Sequence, residues 1–153
     1  MWSFKGQPFT SEHLAQYKSA FGFVYLIECE GLLYVGQKLF YGTKTVTKNK
    51  VAKKVKCESD WVRYVSSSEI IKEKVKSGAA IKKTILYITS CKGQSNYIET
   101  RLQMDLRVLE QPQVFLNKIM NFRCHHTHVK LHTLVDSDEV TVNDLKSRYS
   151  PSN

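Results

Sequence analysis

No segment of this chain is apolar for long enough to cross a bilayer. The longest such run, Phe21-Gly22-Phe23-Val24-Tyr25-Leu26-Ile27, falls far short of the ~20 residues a spanning helix needs. Met1-Trp2-Ser3-Phe4 lacks the basic-then-apolar order of a secretory signal. The expectation is therefore a cytoplasmic protein with no membrane partner. The four cysteines, Cys29, Cys57, Cys91 and Cys124, form no CxxC pair, and reduced thiols are the simplest reading. No internal repeat is present. Acidic residues are missing altogether from Lys44 to Lys56, a stretch that holds six lysines.

What is present suits one domain: 153 residues, 42% of them apolar, can bury a single core. The formal net charge is +9, and it is localised. Between Lys38 and Lys83 stand thirteen Lys and Arg residues against four acids, a surplus equal to that of the whole chain. A polyanion is the natural partner of such a segment, through phosphate neutralisation and counterion release. A solvated lysine-rich face is the plainer alternative.

Phe21 to Gly36 reads as a β-hairpin: Phe23-Val24-Tyr25-Leu26-Ile27, a turn at Glu30-Gly31, then Leu32-Leu33-Tyr34-Val35. Alternation puts Tyr25 on the face of Phe23 and Ile27. From Leu39 to Asp60 periodicity disappears, which predicts a flexible basic loop. Ser66-Ser67-Ser68-Glu69 fits a capping box with Ser66 as N-cap, and Gly78 is placed to end the helix that follows. Ile81 to Thr89 predicts a central strand. Ile98, Leu102, Leu106 and Leu109 predict a helix over about 94–109, ended by Pro112. Val114 to Phe122 is a short apolar segment, helical or extended. The expected organisation is an N-terminal extension over 1–20 with one short helical turn near Ser11, a central domain over 21–132, and an appendage over 133–153 with a helix near Val142 to Tyr149. The fold class is α/β (α+β), a small three-stranded antiparallel sheet flanked by helices.

Phe23-Val24-Tyr25 and, eight residues on, Tyr34-Val35-Gly36 resemble the paired motifs of the GIY-YIG nuclease family. On their own, two strand tyrosines fit cross-strand packing equally well. The resemblance extends through Gln37-Lys38, Glu58-Ser59-Asp60-Trp61, Tyr64, Ser67-Ser68 and Asn96-Tyr97-Ile98-Glu99, in the family's order, from about Gly22 to Lys130. It is similar to a subgroup of homing-type endonucleases encoded largely by tailed phages. The first triplet is FVY rather than GIY, and Ser66 stands where the subgroup commonly has glycine.

That resemblance implies a divalent-metal-dependent DNA endonuclease with a GIY-YIG-like fold, acting in the infected cell if phage-encoded. It implies Glu99 as the ligand of Mg²⁺ (or Mn²⁺), with waters and phosphate oxygens completing a hard-cation shell. Tyr25 and Tyr34 match the paired tyrosines, one of which helps deprotonate the attacking water. Lys38 lowers the tyrosine pKa or holds that water. Arg63 is the candidate for the arginine that stabilises the transition state, being the sole arginine between Tyr34 and Glu99; Lys44 stands nearer the usual spacing but lacks the planar fork. Asn117 matches a late asparagine that shapes the site. No small-molecule cofactor is implied.

Duplex DNA is the expected partner, gripped by Lys44, Lys48, Lys50, Lys53, Lys54 and Lys56. Trp61 and Tyr64 either stack on a base or pack beneath the basic loop. Cys124, His125, His126, His128 and His132 lie within nine residues. They bind zinc, contact phosphate through the His125 and His128 pair, or decorate a surface strand. One active site cuts one strand, so double-strand cleavage calls for a homodimer or two successive events. The alternative function is a non-catalytic DNA-binding protein on the same scaffold.

Overall fold

The computed structural model describes residues 1–48, 51–120, 122, 124–129 and 133–150. Lys50 and His132 lie outside the described residues. No helix among them is long and apolar enough to cross a membrane.

The expected hairpin forms as β3 (Gly22–Cys29) and β4 (Leu32–Leu39), paired antiparallel with Tyr25 opposite Gly36. Its turn uses Glu30 at φ 50 and Gly31 at φ 80, the positive dihedrals a tight two-residue connection demands. Lys5 (φ 50) and Gly6 (φ 75) make a second such turn, between β1 (Trp2–Phe4) and β2 (Gln7–Phe9). The predicted central strand is β7 (Ile81–Thr89), antiparallel to β3 and parallel to β1.

The sheet is therefore larger than the three antiparallel strands expected. It is mixed and six-stranded, in the order β2-β1-β7-β3-β4, with β8 (Asp136–Ser137) pairing β7. The extra strands come from residues read as an N-terminal extension and a C-terminal appendage. Trp2 explains the first: it is fully buried, packs edge-on to Phe23 at 5.0 Å, and donates from its indole nitrogen to the Trp61 carbonyl at 2.8 Å. Strict alternation along β7 also fails. Val24 pairs Tyr87 but Tyr25 pairs Ile85, so Leu86 is an extra residue and the bulge lets Ile85 and Ile88 enter the same core.

Two cores sandwich the sheet. On one face Phe23, Tyr25, Ile27 and Ile85 pack with Phe40, Trp61 and Ile71, covered by α1 (Ser11–Leu14) and α2 (Glu69–Lys76). On the other, Val24, Leu26 and Val35 meet Ile98 and Leu102 of α3 (Lys92–Asp105) and Val142 and Leu145 of α4 (Glu139–Tyr149). The cap of α2 is Ser68, not Ser66; the Ser66 hydroxyl instead accepts from the Ser68 N–H at 3.0 Å, bending the chain before the helix starts. α3 ends at Asp105 rather than near 109, because Arg107 turns left-handed at φ 47.

The stretch expected as a flexible loop is a second sheet. β5 (Tyr41–Lys48) and β6 (Val51–Glu58) form an antiparallel ribbon of two strands. Thr43, Thr45, Val46, Thr47 and Val55 give it the β-branched content a strand favours, which the interspersed lysines conceal.

Candidate active site

Strand β4 is the edge of the large sheet, and its open side is closed piece by piece. The Leu33 N–H donates to the Val114 carbonyl and the Leu116 N–H to the Leu33 carbonyl, each at 2.8 Å. One residue pair further, the buried Asn117 side chain takes over, accepting from the Val35 N–H at 3.0 Å and donating to the Val35 carbonyl at 2.7 Å. Beyond Val35 the edge opens into a cleft of about 360 Å³, with Tyr34, Ser67 and Asn117 on its walls.

Glu99 reaches that cleft from α3. Its carboxylate accepts from Gln37 Nε2 at 2.8 Å and from Gln103 Nε2 at 3.4 Å, and Gln37 also donates to Asn96 Oδ1. Burial disfavours its charge and pushes its pKa up to about 7, only partly offset by the Gln37 hydrogen bond. This donor set fits a hard cation. Among the described residues Glu99 is the one acidic side chain lining the cleft, and a cation would supply the counter-charge that burial withholds.

Tyr34 stands on the opposite wall, its hydroxyl 2.7 Å from Ser67 Oγ. Burial raises its pKa above the ordinary phenol value, while the Ser67 hydrogen bond works against the rise. Tyr25 lies behind it, fully buried, with its hydroxyl 3.3 Å from that of Tyr64. Burial raises the Tyr25 phenol strongly, with Tyr64 adding to the effect. Gly36 makes the pairing of these rings feasible, since a Cβ there would sit 2.6 Å from the Tyr25 hydroxyl oxygen and 2.9 Å from Tyr34 Cε1.

Lys38 points toward Asp60 and Tyr64. Its ammonium sits 2.6 Å from Asp60 Oδ1 and 4.2 Å above the Tyr64 ring, and it holds the Asp60 carboxyl below its ordinary range. Arg63 is exposed and lines an adjoining groove with Asp60 and Lys72; Tyr64 and Ser67 form the wall shared with the Glu99 cleft.

Lys44, Lys53, Lys54 and Lys56 are exposed on the β5–β6 ribbon, and the Lys48 backbone pairs with Val51 there. Trp61 is a correction. It is fully buried against Phe40 at 5.2 Å and donates to Glu58 Oε1 at 2.6 Å, so it is core and has no face free for a base.

His125 is exposed ahead of a 3₁₀ turn over His126–His128, its Nδ1 2.9 Å from the Thr127 hydroxyl. Among the described residues no three His, Cys, Asp or Glu side chains gather to hold a metal ion.

Two residues at the site escaped the sequence reading. Gln103 lies one turn after Glu99 on α3, a spacing that could have flagged it. Lys83, on β7 beside the exposed Lys82, is buried and donates to the Tyr64 carbonyl at 2.9 Å; burial lowers its pKa.

A family model described as "Putative endonuclease segE, GIY-YIG domain" matches residues 2–120. The chain belongs to the GIY-YIG nuclease family. The matched stretch of this GIY-YIG protein takes in β1, β2, the ribbon, the cleft residues and Asn117, and stops ahead of Cys124. No curated protein and no solved structure gives a significant match to the chain.

Proposed function

We propose that the protein is a divalent-metal-dependent DNA endonuclease that hydrolyses phosphodiester bonds in duplex DNA. The observation that carries this reading is the cleft at the open end of β4, where the half-buried Glu99 carboxylate and the Tyr34 phenol share one cavity. Glu99 is the metal ligand, held in place by the Gln37 and Gln103 amides. Mg²⁺ or Mn²⁺ bound there supplies Lewis acidity to a phosphoryl oxygen and offsets charge that builds on it.

The chain's own groups do the rest. Tyr34 stays a neutral phenol, because burial opposes its ionisation. It orients the attacking water by hydrogen bonding, with Ser67 fixing the direction of its hydroxyl. Arg63 reaches from the adjoining groove to a non-bridging oxygen, where its planar fork stabilises developing charge. Lys38, paired with Asp60, keeps Tyr64 in position over Tyr25. Asn117 holds the β4 edge that presents Tyr34 and Gln37. The family resemblance implies a phage-encoded enzyme working in the cytoplasm of the infected cell.

The test is cleavage of supercoiled plasmid in Mg²⁺ and Mn²⁺ by wild type and Glu99→Gln side by side. Wild type converts supercoils to nicked or linear DNA, and Glu99→Gln does not. Salt-sensitive binding without cleavage in either metal establishes the alternative, a non-catalytic DNA-binding protein on this scaffold.

A further inference from the structure

The β5–β6 ribbon stands apart from the large sheet, and its exposure is unusual for paired strands. Residues 43–47 and 52–56 are all exposed, so neither face is packed against the domain. Val46 and Val55 are 50% and 43% exposed. A free two-stranded ribbon is marginal in water, and this one places Lys53 beside Lys54 with no acid between Lys44 and Lys56 to balance them. Its root is firm by contrast. Glu58 accepts from Ser11 Oγ and Trp61 Nε1, each at 2.6 Å, and the Ser59 N–H donates to the Phe40 carbonyl at 2.8 Å.

The register sorts the side chains into two sets. Thr43 faces Lys56 and Thr45 faces Lys54 across one surface; Lys44 faces Val55 and Val46 faces Lys53 across the other. Lys56 stays near the root, its ammonium 4.0 Å above the Tyr41 ring. The first surface thus presents hydroxyls, methyls and an ammonium, which are groups that read base edges. The second keeps two long lysines able to reach phosphates at the groove rims.

We propose that this ribbon enters the major groove of duplex DNA with its Thr43/Thr45/Lys54 surface toward the bases, and so fixes where the cleft lies on the duplex. The inference rests on the nuclease reading for its substrate. A two-stranded β-ribbon matches the ~12 Å major groove of B-DNA, whereas the deep, narrow major groove of duplex RNA admits no such element. Position supports it too. Only Phe40 separates β4, which carries Tyr34 and Gln37, from β5. Thr43 is six residues past Gln37, at most ~20 Å along an extended chain. Grip and cleavage therefore fall within about one helical turn of each other.

The full-length Glu99→Gln protein, which binds without cutting, isolates the ribbon from catalysis. Bound to a fluorescent duplex, it is displaced by methyl green, a major-groove ligand, and retained against distamycin, a minor-groove ligand. Duplex RNA of the same length competes poorly. Replacing Lys44, Lys53 and Lys54 by Gln on this background lowers the salt slope of log Kd by about 2, at ~0.9 for each of the two phosphate contacts made by Lys44 and Lys53. Displacement by distamycin alone, displacement by neither ligand, equal competition by duplex RNA, or an unchanged slope overturns the proposal. The groove-ligand and RNA competitions use the unaltered ribbon, so they stand whatever the triple variant does to folding. Failure of wild type to nick plasmid while these results hold overturns only the catalytic reading.

Discussion

Asn117 completes the β4 edge as a neighbouring strand would, accepting from the Val35 N–H at 3.0 Å and donating to the Val35 carbonyl at 2.7 Å. A single carboxamide has both polarities in the spacing of a backbone pair. Asn117→Leu fills similar space but leaves the buried Val35 N–H unpaired, at a cost of about 1–3 kcal/mol. Asn117→Asp can still accept from that N–H but sets an anion against the Val35 carbonyl. Urea titration should show both variants less stable than wild type. Plasmid nicking should fall further than stability alone explains, because the walls that carry Tyr34 and Gln37 shift.

The hairpin of β3 and β4 was legible because two apolar runs, the first rich in aromatic and β-branched residues, flank the turn at Glu30-Gly31. Glu99 and Tyr34 followed from motif order, and the cleft joins them. The rest depended on contacts far apart in sequence. Nothing near Trp2 announces that its indole will meet the carbonyl of Trp61 and bring β1 into the sheet. Trp61 sits in a basic stretch that left stacking on a base and packing beneath the loop both open, and contacts with Phe40 and Phe23 place it in the core. The bulge at Leu86 and the edge pairing of Asn117 are decided by the partner strand, which no local pattern records.

Gly36 is the contact on which the packing of Tyr25 against Tyr34 depends. A Cβ at this position would lie 2.6 Å from the Tyr25 hydroxyl oxygen, closer than packed atoms tolerate. Tyr25 is fully buried and cannot retreat into solvent. Gly36→Ala should therefore destabilise the domain by about 1–3 kcal/mol through overpacking. The double variant Gly36→Ala/Tyr25→Phe, which removes the clashing oxygen, should recover part of that loss in thermal melts. Tyr25 Cζ would still lie 2.7 Å from the added Cβ, so equal stability of the single and double variants would place the strain on the ring rather than on its hydroxyl.

Tyr25 and Tyr34 differ in what they can touch. The Tyr25 hydroxyl meets Tyr64 inside the core, whereas the Tyr34 hydroxyl faces the cleft beside Ser67. Tyr34→Phe should reduce kcat for nicking by at least ~10²-fold, the ordinary scale for a lost positioning or proton-transfer group. Tyr25→Phe keeps the ring packing and loses one long hydrogen bond, so it should cost about tenfold or less. Single-turnover cleavage at saturating DNA separates the two; equal losses would assign the water-directing role to Tyr25 as much as to Tyr34.

Glu99 gives the metal-free protein a pH signature of definite sign. Its pKa rises from 4.5 to about 7 on folding because burial penalises the charge. Between those values the unfolded chain has released the proton while the folded chain still holds it. The Glu99 contribution to stability is thus full below pH ~4.5 and falls as pH rises toward 7, by at most about 3 kcal/mol. Above pH 7 the folded protein carries a half-buried carboxylate with amides as its partners, a state that a bound divalent cation would relieve. Glu99→Gln should flatten the pH dependence of the melting temperature over this window and be more stable than wild type at pH 8 without metal. Adding Mg²⁺ at pH 8 should raise the melting temperature of wild type and leave Glu99→Gln unmoved. An equal Mg²⁺ response in both proteins would remove Glu99 as the metal ligand.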